Sequence, residues 1–98
     1  MSTLDPLIHP PTRLQIMGIL GGVSDASFDK LRELTGVSDS VLSKHLSALG
    51  EAGYVKVKKL PVEGRSRTWV ERTGPGRRAF EGHMAALRAL AEMGLAAE

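Results

Sequence analysis

The stretch that decides the fold is GVSDSVLSKHLSALGEAGYV, residues 36–55. Its apolar residues recur at steps of three and four, as in Leu42, Leu46 and Leu49, and this spacing lines one face of an α-helix. The opposite face carries small polar side chains and a single lysine: Asp39, Ser40, Ser43, Lys44 and Ser47. The sequence therefore predicts an amphipathic helix, capped at its start by Ser38, whose outer side can press against another polar surface.

A second helix is predicted immediately before this one. Ser27 is a candidate N-cap for FDKLRELTG, in which Phe28, Leu31 and Leu34 share one face and Gly36 ends the helix. Two helices joined by a tight, glycine-containing turn are the organisation of a helix-turn-helix, predicted here for about residues 27–52. The alternative is an ordinary helical hairpin, which any small helical domain can contain.

A basic hairpin is predicted after the helices, over about residues 54–72. Residues 54–60 and 67–72 read as strands, and the loop between them, residues 61–66, contains proline and glycine. The only tryptophan, Trp69, is expected to anchor the hairpin to the helices; the alternative is a base-stacking role.

Helices are also predicted at both ends of the chain. Pro10 and Pro11 set a rigid entry into a first helix, and Thr73 caps a final helix over about residues 74–95. The final helix carries an apolar stripe that must be buried. We predict that it pairs with a second copy of the chain, the alternative being a helix folded back on its own domain. The stripe comprises Phe80, Met84, Leu87, Leu90, Ala91 and Leu95.

Composition limits the class of protein. The 98 residues are expected to form one domain, residues 1–98, mainly α with a small β-hairpin (α+β). The chain has no cysteine, which excludes disulfides, thiol sensing and thiolate metal sites. No apolar run is long enough to cross a bilayer and the N-terminus lacks signal-peptide features, so a cytoplasmic location is expected.

Catalysis and cofactor binding are not expected. Ser43 and His45 lie two positions apart on a helix, so their side chains diverge and cannot form a catalytic pair. The histidines are scattered along the chain and have no cysteine partners, so no metal site or other cofactor is predicted.

Charge is strongly segregated along the chain. Residues 44–78 contain nine basic and three acidic side chains, a net charge of +6, whereas the remainder has four basic and eight acidic ones. This asymmetry indicates a polyanionic partner. The alternative is an ordinary solvated surface in a protein rich in arginine.

Three segments together resemble the winged-helix transcriptional regulators of bacteria and archaea, in the broad MarR-like and ArsR-like group. They are LDPLIHPPTRLQIMGIL, SFDKLRELTGVSDSVLSKHLSALGEAGYVKVKK and GRSRTWVERTGPGRRAF. The chain is most similar to a small family of isolated winged-helix domains, with LSKHLSALGEAGYV as the most specific part. It departs from the family pattern at Arg72, where an apolar residue is usual, and at Trp69, where tyrosine is common.

The resemblance implies a homodimer that binds double-stranded DNA sequence-specifically, usually to repress transcription. The recognition helix would be residues 38–52 and the wing residues 56–68. The implied DNA-binding residues are Ser38, Asp39, Ser40, Ser43, Lys44, His45, Ser47, Lys56, Lys58, Arg65, Ser66, Arg67 and Arg13. Any effector would be a small organic molecule or a partner protein. The competing hypothesis is a winged helix that serves as a protein-interaction module.

Overall fold

In the part of the chain that the structure describes, three short helices share one core with a small antiparallel sheet, and a fourth, longer helix extends beyond it. The computed structural model describes residues 3–96. The elements, in chain order, are α1 (Pro11–Gly21), β1 (Ala26–Ser27), α2 (Phe28–Thr35), α3 (Asp39–Glu51), β2 (Val55–Val62), β3 (Arg65–Arg72) and α4 (Gly74–Ala96). Within these described residues, none of the helices combines the length and the hydropathy that a membrane crossing requires.

The helix boundaries follow local capping chemistry. The side chains of Ser27 and Ser38 each accept a backbone N–H three residues further on, and Thr73 does the same at the start of α4. Gly36 ends α2 with φ of 72°, a left-handed conformation that costs glycine little. The predicted caps and the predicted stop between the two helices are confirmed.

One core joins α1, α2, α3 and the sheet. Its buried apolar residues are Ile8, Ile16, Met17, Leu20, Ala26, Leu31, Leu42, Leu46, Leu49, Val55 and Val70. All three leucines of the α3 stripe are buried. Leu34 differs from the prediction: it was expected on the apolar face of α2, but half of its surface is exposed.

Within residues 3–96 the sheet has three strands, in the order β1-β3-β2. Strand β1 was not predicted, because two residues carry no alternation and become a strand only by pairing with β3. The predicted loop over residues 61–66 was also wrong, since pairing of β2 and β3 continues to Val62 and Arg65. The turn consists of Glu63 and Gly64 alone, at φ of 51° and 77°, as in a tight two-residue hairpin. Pro61 is tolerated in β2 because that strand lies at the sheet edge.

Trp69, which was predicted to anchor the hairpin to the helices, is not among the residues of the core. Successive residues of a strand point to opposite faces, so Trp69 lies on the face opposite to the fully buried Val70. It is half-buried, and its Nε1 is shielded from solvent without a hydrogen-bond partner in the described part of the chain. Val55 and Val70 attach the hairpin to the core instead.

The N-terminal segment is held by hydrogen bonds to two distant elements. The Asp5 N–H donates to Nδ1 of the fully buried His83 of α4, at 2.8 Å. The Tyr54 hydroxyl donates to the Asp5 carboxylate at 2.6 Å, and this bond is the main reason that the pKa of Tyr54 is raised. His9 and His83 are also joined, at 3.2 Å between Nδ1 and Nε2. The segment thus connects α4 to the junction of α3 and β2.

The start of α4 packs closely on the same junction. The Thr73 N–H and hydroxyl donate to the carbonyl oxygens of Tyr54 and Gly53, at 3.1 and 2.6 Å. Gly76 is buried against the Tyr54 carbonyl, and a Cβ at Gly76 would overlap that oxygen. Close backbone contact therefore fixes where α4 begins.

Arg72, one of the two departures from the family pattern, makes polar contacts at this end of the molecule. Its guanidinium lies 5.8 Å from the centre of the Phe80 ring and donates to the Met17 carbonyl at 3.4 Å. Both contacts suit a cation, because the ring face and the C-terminal part of a helix carry partial negative charge. An arginine therefore replaces an apolar side chain here without an unpaired buried charge.

Candidate nucleic-acid interface

The outer face of α3 is open to solvent. Ser40, Ser43, Lys44 and Ser47 are all exposed, and the leucines of the same helix are buried on the opposite side. The side chains predicted to contact DNA therefore form a low, polar surface with one cation.

Two predicted contact residues at the start of α3 have structural partners. The Ser38 hydroxyl caps the helix, at 3.3 Å from the Val41 N–H. Asp39 forms a 2.8 Å ion pair with Arg32 of α2, and their hydrogen bond is the largest cause of the raised pKa of Arg32. Both side chains remain exposed, but their contacts hold the turn between the helices.

Arg13 is directed into the molecule, whereas the resemblance implied a contact with DNA. Its Nε–H donates to Nδ1 of His45 at 2.9 Å, and its Nη1 donates to the Leu7 carbonyl at 3.1 Å. Burial, and then the charge of Arg13, lower the pKa of His45. Because Nδ1 accepts a hydrogen bond, the neutral His45 ring carries its proton on Nε2. Arg13 thus positions His45 and ties α1 to α3.

The wing presents most of its predicted basic residues to solvent. Lys56, Arg65, Ser66 and Arg67 are exposed, and no carboxylate within residues 3–96 lies within 4 Å of these cations. Lys58 differs, because it forms an ion pair with Glu71 at 3.6 Å. Its charge is therefore partly offset.

Sequence reasoning missed Lys59, which is exposed and lines the space between the wing and α3. Lys59 follows Val55 and Val57 at alternate positions of β2, so all three lie on one face of the strand. Extending the alternation of side chains along β2 from Val55 would have placed Lys59 on this face.

An open groove of about 710 Å³ separates the recognition helix from the wing. It is lined by Phe28, Ser43, Leu46, Ser47, Gly50, Val55, Lys56, Val57, Lys59 and Thr68. Residues from α3 and from the hairpin thus face one space. The polar face of the helix and the cations of the wing are therefore neighbours.

The remaining basic residues of the segment 44–78 lie elsewhere. Arg72 and Arg77 line a recess beside Leu20 at the end of α1, and Arg78 lines another beside Leu4. The charge that is contiguous in sequence is thus divided between two parts of the molecule. Lys44, Lys56, Lys59, Arg65 and Arg67 remain for the candidate interface.

The apolar stripe of α4 changes character along its length. Phe80, which was predicted to lie in a dimer interface, packs against the protein's own core, and Met84 and Leu87 are half-buried. Leu90 is 49% exposed and Leu95 is 74% exposed. Ala91 is also exposed. The second half of this 23-residue helix thus presents apolar side chains that its own domain does not cover.

Comparison with known proteins identifies the family. Residues 12–91 match the family described as winged helix DNA-binding domain. An uncharacterized protein from Methanocaldococcus jannaschii is 32% identical over 78 residues, which are 80% of this chain and 85% of that protein.

Solved structures agree with this assignment. A transcriptional regulator homologue from Pyrococcus horikoshii superposes with a TM-score of 0.83 at 29% identity, covering 91% of this chain and 87% of that one. The YusO protein from Bacillus subtilis shares the fold, with a TM-score of 0.76 at 16% identity over 90% of this chain and 62% of its own. The family and the regulators among these neighbours are not enzymes. The expected winged-helix fold is confirmed, and the chain belongs to the winged helix DNA-binding domain family.

Proposed function

We propose that this protein is a sequence-specific regulator of transcription that binds double-stranded DNA as a homodimer and represses transcription from a near-palindromic operator. The observation that carries the proposal is the exposed polar face of α3 beside cations that have no acidic partner within residues 3–96. A helix of this kind fits the major groove of DNA, and unpaired cations fit its phosphates. The protein would act in the cytoplasm.

The residues divide by chemistry into two roles. Ser40, Ser43, Lys44 and Ser47 would reach base edges, where hydroxyls serve several bases and lysine favours the acceptors of guanine. His45 would add a neutral Nε2–H donor at the flank of the helix. Lys56, Arg65, Ser66 and Arg67 would contact the DNA backbone or enter the minor groove. Ser38, Asp39, Lys58 and Arg13 would chiefly hold these groups in place, since each already has an intramolecular partner.

The dimer would form through the second half of α4. Leu87, Leu90, Ala91 and Leu95 continue the stripe beyond the core, where a second copy could bury them. Two recognition helices would then meet DNA about 34 to 36 Å apart, or a multiple of that distance, which requires a near-palindromic site.

Salt dependence of duplex binding tests the DNA-binding proposal. Each phosphate contact should contribute a slope of about −0.9 to the plot of log affinity against log salt concentration. We expect a gel-shift titration to show affinity falling by orders of magnitude between ~50 and ~200 mM salt. Absence of duplex binding even at the lower concentration would favour the alternative, a protein-interaction module.

Light scattering tests the dimer separately. Replacing both Leu87 and Leu90 by glutamine should give a folded monomer with much weaker operator binding. Gln15→Ala changes an exposed side chain of α1 and serves as a matched control that should leave the dimer intact. A monomer in the unmodified protein would refute this part of the proposal.

A further inference from the structure

The turn formed by residues 5–9 is held together by its own hydrogen bonds. The Asp5 carbonyl accepts the backbone N–H groups of Ile8 and His9, at 3.1 and 3.0 Å. The Asp5 carboxylate accepts the Leu7 N–H at 2.9 Å. These residues therefore form a compact N-terminal turn, which can attach to the rest of the domain, or detach from it, as one piece.

Two histidines join the N-terminal turn to α4. Nδ1 of the fully buried His83 accepts the Asp5 N–H at 2.8 Å. A backbone N–H can only donate, so Nδ1 carries no proton and the neutral ring carries its proton on Nε2. That N–H must then donate to Nδ1 of His9, which lies 3.2 Å away. The hydrogen bonds thus fix the tautomer of both rings.

This pair of rings cannot bind a further proton without losing a contact. Two neutral imidazoles have two basic lone pairs, which here are on Nδ1 of each ring. The lone pair of His83 is occupied by the Asp5 N–H, and that of His9 by the N–H of His83. A proton added to either ring therefore breaks one of these bonds, and both bonds join the N-terminal turn to α4.

Charged and titratable groups from each neighbouring element lie around the turn. The Asp5 carboxylate accepts the Tyr54 hydroxyl, from the junction of α3 and β2, at 2.6 Å. On α4, Arg78 lines the recess that Asp5 borders. On α1, Arg13 donates to the Leu7 carbonyl at 3.1 Å. One carboxylate and two guanidinium groups thus supply no excess of negative charge to hold a protonated histidine in place.

We propose that His9 and His83 form an acid-sensitive latch, which holds the N-terminal turn on α4 at neutral pH and releases it when the rings bind protons. Ile8 is fully buried in the core and must leave it on release, so the open form is rare and is detected by hydrogen exchange rather than by average structure. The latch acts in the free protein and is independent of DNA binding.

Release of the turn also affects the support of α3. It removes the Leu7 carbonyl from Arg13, whose Nε–H is bonded to His45 of α3 at 2.9 Å. It likewise removes the Asp5 carboxylate from Tyr54, which lies just after the end of that helix. The latch therefore links α4 to the helix at the candidate interface.

Amide hydrogen exchange of the free protein measures the opening. The protection factor of the Asp5 amide, whose N–H is the bond to His83, is determined by NMR at pH 7.5 and 5.5 after correction for intrinsic exchange. A released histidine binds a proton near pH 6.5, so each ring raises the open population about tenfold between these values. We expect protection to fall roughly 100-fold. A fall of less than about threefold would overturn the latch.

Replacing one histidine at a time assigns the effect. Asparagine keeps an acceptor near the position of Nδ1 but cannot bind a proton. His9→Asn and His83→Asn should each reduce the fall in Asp5 protection to about tenfold, since one titrating ring remains. Because the ring of His9 is exposed, His9→Asn supplies the result if His83→Asn does not fold. An unchanged fall in His9→Asn would overturn the role of the pair.

His45→Asn separates release of the turn from unfolding of the whole domain. His45 is the third histidine of the chain, and burial lowers its pKa in the folded protein. It therefore gains a proton when the whole domain unfolds, but not when the turn alone is released. We expect this variant to keep the full fall in Asp5 protection. A smaller fall would mean that the Asp5 amide exchanges only by complete unfolding, which would overturn the latch.

Discussion

The two ends of this small domain use the same kinds of residue in opposite ways. At the base, the end where the N-terminal segment and the start of α4 meet, Arg72 and Tyr54 each find an intramolecular partner, and His83 is wholly buried yet hydrogen-bonded. At the interface the cations of the wing are exposed, and Lys59 borders an open groove. Polar and charged side chains stabilise the fold where the chain supplies a partner. They remain available for binding where it does not.

The largest effect is expected at the base, where Gly76 of α4 is closely packed and Gly82 of the same helix is not. Gly76→Ala places a methyl group against the Tyr54 carbonyl, where backbone cannot yield, so we expect a loss of about 3 kcal/mol or more of unfolding free energy. Gly82→Ala, in the same helix with nothing within 4 Å, should instead stabilise by about 0.5 to 1 kcal/mol. Urea denaturation of both variants measures the difference. Similar stability in the two would show that α4 can shift at its start.

Removing two arginines from either end should affect DNA binding very differently. Arg65→Ala with Arg67→Ala is expected to weaken every duplex about tenfold or more and to reduce the salt slope by about 2. Arg77→Ala with Arg78→Ala removes the same charge from the base and should change affinity much less. Titrations of both double variants at several salt concentrations make the comparison. Equal losses would mean that net charge, rather than its placement, drives binding.

Partial burial of His45, together with the charge of Arg13, predicts a pH dependence of stability. Because the pKa of His45 is lowered in the folded protein, the unfolded chain takes up this proton first as the pH falls. The stability that neutral His45 contributes is therefore present above about pH 6.5 and is lost as the pH falls below that value. His45→Asn keeps an acceptor for Arg13 but cannot titrate, so it should lose less stability between pH 7.5 and 5.5. Urea midpoints at both pH values test this, and identical losses would contradict it.

The wing turn predicts the smallest effect. Glu63 adopts φ of 51°, a conformation in which asparagine is better tolerated. Glu63→Asn should stabilise the fold by about 0.5 kcal/mol, by analogy with other turn substitutions that relieve strain. Glu63→Gln removes the same charge without relieving the backbone and is the control. A thermal shift of equal size in both variants would attribute the gain to charge.

Much of this architecture could be predicted because its determinants are local. Ser27, Ser38 and Thr73 cap their helices with groups three residues away, and Gly36 ends α2 by its own backbone freedom. The leucine stripe of α3 requires only the period of a helix. Such features are visible in a short window of sequence.

The features that were missed depend on residues distant in the chain. Strand β1 exists through its pairing with Val70 and Trp69, and Arg13 turns inward because His45 lies beside it. Phe80 packs against the core, with its ring beside Gly18 of α1. Summing charge over residues 44–78 likewise counted Arg72 with the wing, although it contacts Phe80 at the other end.

The sole tryptophan gives the molecule a built-in optical reporter. Trp69 lies on the wing face turned away from the core, with its indole nitrogen shielded from solvent and no acceptor for it within residues 3–96. An indole in such surroundings emits at shorter wavelength than one in water, so any rearrangement of the hairpin that hydrates the ring would shift its emission to the red. Movement of the wing can therefore be followed without attaching a dye.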